Sequence, residues 1–249
     1  MSTKIVCLNL FEGGQFWDKI VTFFKREQAD IYCLQEAMQG GSDQPDNFYT
    51  IERLKRFLPD FYYYFSPELY QVRPNSEGDA GNLIVSKFPF LQSETVFLHG
   101  QYEKIKRDDE KGFSHYPKNL QHVEVDTGNR RLHVFNLHGI WGLDGGDTPE
   151  RLRTSEIILK NVTAVAPSVL TGDFNVQPNT ETIRRIESCM TNVFKDRLVT
   201  SFNMRHKTNP GYATAVVDLF FAIPELRVVS ARCPDDDVSD HKPLVVEIA

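Results

Sequence analysis

Val169-Leu170-Thr171-Gly172-Asp173-Phe174-Asn175 is an apolar run that stops at a glycine and is followed by two polar side chains. The run reads as a buried strand. Side chains alternate along an extended segment, so Asp173 and Asn175 project to one side and Phe174 to the other, into a core. Gly172 lets the backbone turn, or be approached closely, where the strand stops. A carboxylate beside a carboxamide at a strand end can take a proton from a water and hold that water by hydrogen bonds. An ordinary Asp/Asn turn has the same appearance, so the stretch acquires meaning only from the rest of the chain.

Working outward, Lys4 to Leu10 is predicted as a strand with Ile5, Cys7 and Asn9 on one face, so that a polar side chain ends an apolar face. A helix is predicted from Gly13-Gly14 to about Glu27, with Phe16, Ile20, Phe23 and Phe24 at helical spacing. Ile31 to Gln35 is a second strand, closed by Glu36. A helix over Asn47 to Phe57 follows, then a tyrosine-rich strand over Phe61 to Ser66, a polar loop from Gln71 to Ala80 and a strand over Asn82 to Ser86. One short strand is expected near Thr95, and the mixed-sign run Lys104 to Lys111 reads as a solvated loop. Leu120 to Val125 and Arg131 to His138 flank the hairpin signal Asp126-Thr127-Gly128-Asn129. Helices are predicted over Pro149 to Val165, with proline at the start, and over Thr180 to Met190. Val216 to Ile223, Leu226 to Ser230 and Pro243 to Ile248 are the remaining strands. Hairpin-linked and helix-linked strands together indicate an α/β fold with mixed sheets and outer helices. Without repeats or linker composition, residues 1–249 read as one domain.

The composition, 41% hydrophobic and 25% charged, is that of a soluble globular protein. A formal net charge of −6 argues against a protein that coats long nucleic acid, which needs a basic face. The four cysteines, Cys7, Cys33, Cys189 and Cys233, form no CxxC pair, and Cys7 and Cys33 lie in apolar runs as buried thiols. The N-terminus runs straight into Ile5-Val6-Cys7-Leu8 with no signal peptide, and no apolar run approaches the roughly 20 residues of a membrane span. A cytoplasmic location and a monomer are the expectations.

Several polar residues stand where an apolar strand should continue. Asp218 lies inside Val216-Val217-Asp218-Leu219-Phe220-Phe221, and a buried carboxylate needs a partner or a shifted pKa. Ser239-Asp240-His241 offers a histidine for it, and an Asp–His pair would favour the protonated ring. A structural cap or an arginine partner is the alternative. Asn136 and His138 end the apolar face of Arg131 to His138. Glu36 ends an apolar strand too; Glu36 and Asp240 are by type ligands for a hard cation such as Mg²⁺, which takes oxygen ligands and keeps waters and substrate phosphate in its shell.

Asn9 in Cys7-Leu8-Asn9, Leu34-Gln35-Glu36, Gly81-Asn82-Leu83-Ile84-Val85-Ser86-Lys87-Phe88-Pro89, Asn136-Leu137-His138, Gly172-Asp173-Phe174-Asn175, Val217-Asp218 and Ser239-Asp240-His241 together resemble, in order, the motifs of the endonuclease/exonuclease/phosphatase superfamily, the DNase-I-like fold. The resemblance implies a four-layer α/β sandwich, two packed mixed β-sheets flanked by helices, with the site at one edge. It implies that Glu36 holds Mg²⁺, with Mn²⁺ as a substitute, and that Asn9 and Asp240 lie near that ion. Asp173 would orient and deprotonate the attacking water, Asn175 would hold phosphate or water, and His241, steered by Asp218, would stabilise the phosphoryl oxygens. His138 would contact the phosphate or assist the leaving group, and Asn136 joins the catalytic set through its motif. No acidic partner for His138 is evident; Glu68 and Glu77 are candidates by rough position.

The expected activity is metal-dependent phosphodiester hydrolysis, as a nuclease on a nucleic-acid end or short nucleic acid. Phospholipid or small phosphoester hydrolysis, and a catalytically silent binding module, are the alternatives. Substrate loops are expected at Gln71 to Ala80, Gln101 to Tyr116, Trp141 to Asp147 and Asn203 to Tyr212. Trp141, Tyr102 and Tyr212 are candidates to stack on a base; Arg205, His206 and Lys207 are candidates to meet phosphates.

Overall fold

Alternating apolar and polar residues build most of the chain into strands. The computed structural model describes residues 2–107 and 112–249. In chain order the strands begin with β1 (Thr3–Asn9), β2 (Ile31–Gly40), β3 (Tyr62–Arg73), β4 (Ser76–Ser86), β5 (Phe90–His99) and β6 (Glu103–Lys106). They continue with β7 (Lys118–Asp126), β8 (Arg131–His138), β9 (Ser168–Asp173), β10 (Thr191–Asn192), β11 (Asp218–Ala222), β12 (Val228–Arg232) and β13 (Leu244–Ile248). The α-helices are α1 (Trp17–Glu27), α2 (Thr50–Phe57), α3 (Pro149–Val162) and α4 (Glu181–Glu187). A seven-stranded sheet has the order β12-β13-β1-β2-β4-β3-β6 and a six-stranded sheet the order β10-β11-β9-β8-β7-β5.

Both sheets are mixed, and they face each other. Ile5, Cys7, Cys33 and Ile84 from one sheet pack with Val123, Val134, Val169 and Phe220 from the other. The outer face of the first sheet carries Val6, Leu8 and Leu34 against Ile20, Phe23 and Phe24 of α1 and Ile51 and Leu54 of α2. The outer face of the second carries Phe135, Leu170 and Phe221 against Ile158 of α3 and Ile183 and Ile186 of α4. Period-two strands with two apolar faces, covered by helices with one apolar stripe, leave this four-layer order as the way to bury all three surfaces. Cys7 and Cys33 are buried and, like Cys189 and Cys233, free. Among the described residues no helix is long and apolar enough to cross a membrane.

Several boundaries differ from the sequence reading for identifiable reasons. Gln71 to Ala80, expected as a loop, is the tip of the β3–β4 hairpin, where Val72 pairs with Glu77 and Arg73 with Ser76. Its polar character reflects a hairpin that runs past the core. The strand near Thr95 extends over ten residues as β5, because its backbone pairs with β7 while its side chains are mostly half-exposed. Gly13 and Gly14 have φ of 79° and 96°, so they form a turn and α1 starts later, at Trp17. Within the expected charged loop, Glu103–Lys106 pairs in parallel with β3; residues 108–111 lie outside the described residues.

Candidate active site

Strand ends from both sheets converge at one edge. Asn9 closes β1, His138 closes β8, Asp173 closes β9, Asp218 opens β11, and His241 stands just before β13. β8 and β9 approach closely there: a side chain on Gly172 would bring its Cβ to 2.0 Å from the Leu137 carbonyl oxygen. Glu36 reaches the same edge through a register shift between Leu34 and Ala37 and a φ of 56°, a left-handed conformation costly for a glutamate. Asn175 has a φ of 54°. Phe11 and Glu12, which line the same cleft, have φ of 56° and 50°, and left-handed non-glycine residues gathered at one edge are the kind of backbone cost that functional sites carry.

The side chains form one network. The Asn9 amide nitrogen donates to Glu36 Oε1 and to Asp173 Oδ2, both at 3.1 Å, while Asn9 Oδ1 accepts from Phe11 N at 2.9 Å. Glu36 Oε2 accepts from Glu12 N at 2.7 Å. Asp173 Oδ1 accepts from Asn175 N at 2.9 Å, and the Asn175 amide nitrogen donates to Gly139 O at 3.2 Å. Asp218 Oδ2 lies 2.8 Å from His241 Nδ1, as the sequence suggested, and Asp218 Oδ1 is buried with no hydrogen-bond partner among the described residues. Asp173 Oδ2 is 3.8 Å from His241 Nε2 and 3.6 Å from His138 Nε2, too far for direct hydrogen bonds.

Burial drives these groups apart in protonation. Burial, reinforced by Asp218, pushes Asp173 up to about 7, against the opposing pull of His241. Burial works against a charge on His241, but Asp218 and Asp173 outweigh it and raise the ring to about 10. His138 falls well below its ordinary value, through burial and the nearby charges of Lys118 and His241. At neutral pH one histidine is therefore a cation and the other neutral, and the carboxylate between them is poised to take a proton.

The cleft has two lobes. One of about 370 Å³ is lined by Asp173, Asn175, His241 and Tyr212; the other, about 200 Å³, by Glu12, Arg73, Arg107, Phe113, Tyr116 and Lys118. Glu36, His138, Trp141 and Lys207 line both and form the waist between them.

Glu36 fits a hard divalent cation, with both oxygens oriented by fixed donors and an open cleft for waters and phosphate. Asp173, Asp218 and His241 also bring ligand atoms within 4.8 Å of one another. That trio offers fewer free ligand atoms, because His241 Nδ1 is committed to Asp218 Oδ2 at 2.8 Å. Two expected ligands are otherwise engaged. Asn9 turns its nitrogen toward the carboxylates and accepts from Phe11 N with its oxygen, so it links Glu36 to Asp173. Asp240 accepts from Ser239 Oγ at 3.2 Å and pairs with Lys207 Nζ at 2.7 Å.

Other expected residues lie elsewhere. Asn136 is completely buried between the sheets: it accepts from Gln35 Nε2 at 2.6 Å and donates to Gln121 Oε1 at 3.1 Å and Leu34 O at 3.0 Å. It cannot touch substrate. Arg205 pairs with Asp235 at 2.8 Å and lines neither lobe, His206 pairs with Asp237 at 2.7 Å, and the Tyr102 hydroxyl donates to Asp79 at 2.7 Å. Neither glutamate suggested for His138 serves it, since Glu68 pairs with Lys118 at 3.1 Å and Glu77 with Lys104 at 3.7 Å. The sequence reading missed the buried Lys118–Glu68 pair, although a lysine opening an apolar strand beside the hairpin was a signal. It also missed Phe113, which meets Trp141 edge-on at 5.8 Å between ring centres.

The sequence model of the endonuclease/exonuclease/phosphatase family matches residues 13–241, which span every one of these strand-end motifs except Asn9. The chain belongs to that family. Solved structures of the family share its fold across the whole chain. The endonuclease/exonuclease/phosphatase protein of Bacteroides vulgatus aligns with a TM-score of 0.75 at 16% identity, covering 100% of this chain and 99% of that one. The mannosyl-6-phosphatase of Bacteroides thetaiotaomicron aligns at 0.77 and 15% identity, covering 99% of each chain. The human nocturnin catalytic domain, solved with a bound sulfate anion, aligns at 0.69 and 18% identity, covering 100% and 94%. No curated protein matches by sequence.

Proposed function

We propose that this family member is a phosphodiesterase that hydrolyses its substrate by in-line attack of water, assisted by Mg²⁺ at Glu36. The observation that carries the reading is Asp173, buried at the wall of the larger lobe of a two-lobed cleft, with His138 Nε2 at 3.6 Å and His241 Nε2 at 3.8 Å from its Oδ2. A phosphodiester has a group on each side of its phosphorus, and the cleft offers a lobe for each.

Phosphate at the waist faces Glu36, His138 and Lys207. A water in the larger lobe lies within reach of Asp173 and Asn175. Its oxygen bonds to phosphorus, its proton passes to Asp173, and the opposite P–O ester bond breaks toward the smaller lobe. His241, charged and fixed by Asp218, donates to the oxygens that gain charge. Neutral His138 has one ring N–H for the phosphate or the departing oxygen. Glu36 would hold the Mg²⁺, which would supply positive charge to offset the negative charge of the phosphate and of the leaving oxygen. Asn9 keeps Glu36 and Asp173 at their separation.

The lobes favour a short substrate with a flat group, such as a nucleic-acid end. Phe113, Tyr116 and Trp141 supply aromatic faces. In the smaller lobe Glu12, Glu36, Glu68 and Asp240 are matched by Arg73, Arg107, Lys118 and Lys207, which leaves no surplus positive charge to follow a long phosphate backbone. The sulfate in human nocturnin and the phosphatase activity named for the Bacteroides thetaiotaomicron protein agree with phosphoester chemistry on this fold. The test is hydrolysis of bis-p-nitrophenyl phosphate and p-nitrophenyl phosphate with Mg²⁺, Mn²⁺ or EDTA. Metal-dependent cleavage favouring the diester supports the proposal; a clear preference for the monoester replaces it with a phosphatase.

A further inference from the structure

We propose that Lys207 serves as a built-in second cation of the active site, so that the protein works with a single divalent ion, at Glu36, and the Lys207 ammonium occupies the place at Asp240 that another ion would take. The inference rests on the phosphoesterase reading and concerns the same site.

Asp240 is almost fully buried, and both its oxygens are used: Oδ1 by Ser239 Oγ at 3.2 Å and Oδ2 by Lys207 Nζ at 2.7 Å. An ion binding Asp240 through Oδ2 would have to displace that ammonium. The lysine does not sit on a loose loop. Lys207 N donates to Asn203 O at 3.0 Å, and Asn203 N donates to Asp240 O at 2.9 Å. The Asn203 amide nitrogen donates to Ser239 O and Asp237 Oδ1, both at 2.9 Å. Lys242 N donates to Ser201 O at 2.7 Å, so the segment carrying Lys207 is tied at several points to the segment carrying Asp240 and His241. Three rings enclose the ammonium, with Phe11 and Phe202 centres at 6.0 Å and Tyr212 at 5.7 Å.

Position gives the ammonium a second task. Lys207 lines both lobes with Glu36 and His138, at the waist where the phosphate must lie. An ammonium has three donors, so one can stay on Asp240 while another meets a phosphate oxygen. Asp240 thus becomes the residue that holds Lys207 rather than a metal ligand, and Lys207 supplies a fixed charge that needs no free ion.

The experiment is Mn²⁺ titration of the full-length protein by calorimetry and electron paramagnetic resonance, without substrate, for the wild type and for Lys207→Ala, Lys207→Arg and Asp240→Asn. The wild type is expected to bind one Mn²⁺ per chain, and Asp240→Asn to bind that ion within about threefold of wild-type affinity. Lys207→Ala is expected to expose Asp240 to a second, weaker ion and to lose on the order of a hundredfold in kcat on the diester, while Lys207→Arg keeps one ion and most of the rate. Two ions on the wild type, with one lost in Asp240→Asn, overturns the inference even if Lys207→Ala does not fold. A wild type that binds one ion yet cleaves no phosphoester overturns the function instead, so the two failures are distinct.

Discussion

Asp173 and Asp218 are direct partners across the antiparallel strands β9 and β11, so two buried carboxylates face the same way from neighbouring positions. Like charges directly opposed across a sheet repel. The fold answers with His241, which holds Asp218 at 2.8 Å and points its other nitrogen toward Asp173 at 3.8 Å. One carboxylate is thereby spent on making a cation, and the other keeps a proton affinity high enough to act as a base.

Opposed titrations give a bell-shaped pH profile. Asp173 must be deprotonated to accept a proton, so kcat/KM rises as pH passes through about 7. His241 must stay protonated, so it falls again toward about 10. The optimum is expected between them, with the acid limb moving to lower pH as Mg²⁺ concentration increases. A rate profile on bis-p-nitrophenyl phosphate at two Mg²⁺ concentrations checks both limbs, and Asp173→Asn should remove the acid limb along with most of the activity.

Removing the buried charge at Asp173 should also stabilise the protein. Folding raises this carboxyl, so its proton is held in the native state; the favourable contribution is full below the ordinary carboxyl range and is lost as pH rises through about 7. Above that pH the wild type keeps a desolvated carboxylate that Asp173→Asn does not. The variant is expected to gain on the order of 1 kcal/mol at pH 8, or ~2–4 °C in Tm for a chain of this size, and much less at pH 5. Thermal denaturation at the two pH values, with EDTA, measures the difference.

Breaking the Asp218–His241 pair should cost more activity than stability. Asp218→Asn leaves the ring its neighbour but removes the main charge that raises it. We expect a loss of on the order of 10²–10³ in kcat with little change in KM, and a basic limb shifted down by more than one pH unit. His241→Asn should lose at least as much. Steady-state kinetics across pH 6–10 separates the two effects.

Asn136 should behave as a structural hub. Its removal takes the donor from Gln121 Oε1 and leaves Gln35 Nε2 only the longer bonds to Cys33 O at 3.3 Å and Cys7 Sγ at 3.6 Å inside the inter-sheet core, and unsatisfied buried groups cost about 1–3 kcal/mol each. Asn136→Ala is expected to lower stability by about 3 kcal/mol while the folded fraction keeps kcat within a few fold. Urea unfolding and active-site-normalised kinetics distinguish this from direct participation.

How much the sequence disclosed follows from the range of the forces involved. Apolar faces that turn polar at their ends marked Asn9, Asp173 and His138 correctly at the edge, because period-two alternation is a local property. The partnership of Asp218 with His241 followed from the cost of burying an unpaired charge. Asn136 carries the same local pattern as His138, and only the depth of the facing sheet decides that its amide meets Gln35 instead of substrate. The inward turn of Glu36 depends on a register shift against β4, and the engagement of Asp240 on a lysine brought from another loop. Both are set by tertiary contacts that no spacing in the chain encodes. The β3–β4 hairpin read as a loop because pairing beyond the core needs no apolar residues.

Asp173 is proposed to deprotonate the attacking water at a metal-dependent phosphodiester site. The direct measurement is single-turnover cleavage of bis-p-nitrophenyl phosphate by wild type and Asp173→Asn, both saturated with Mg²⁺ and both shown by circular dichroism to be folded. Asp173→Asn is expected to lose at least about a thousandfold in rate with substrate binding retained. A rate within tenfold of wild type would place the base elsewhere.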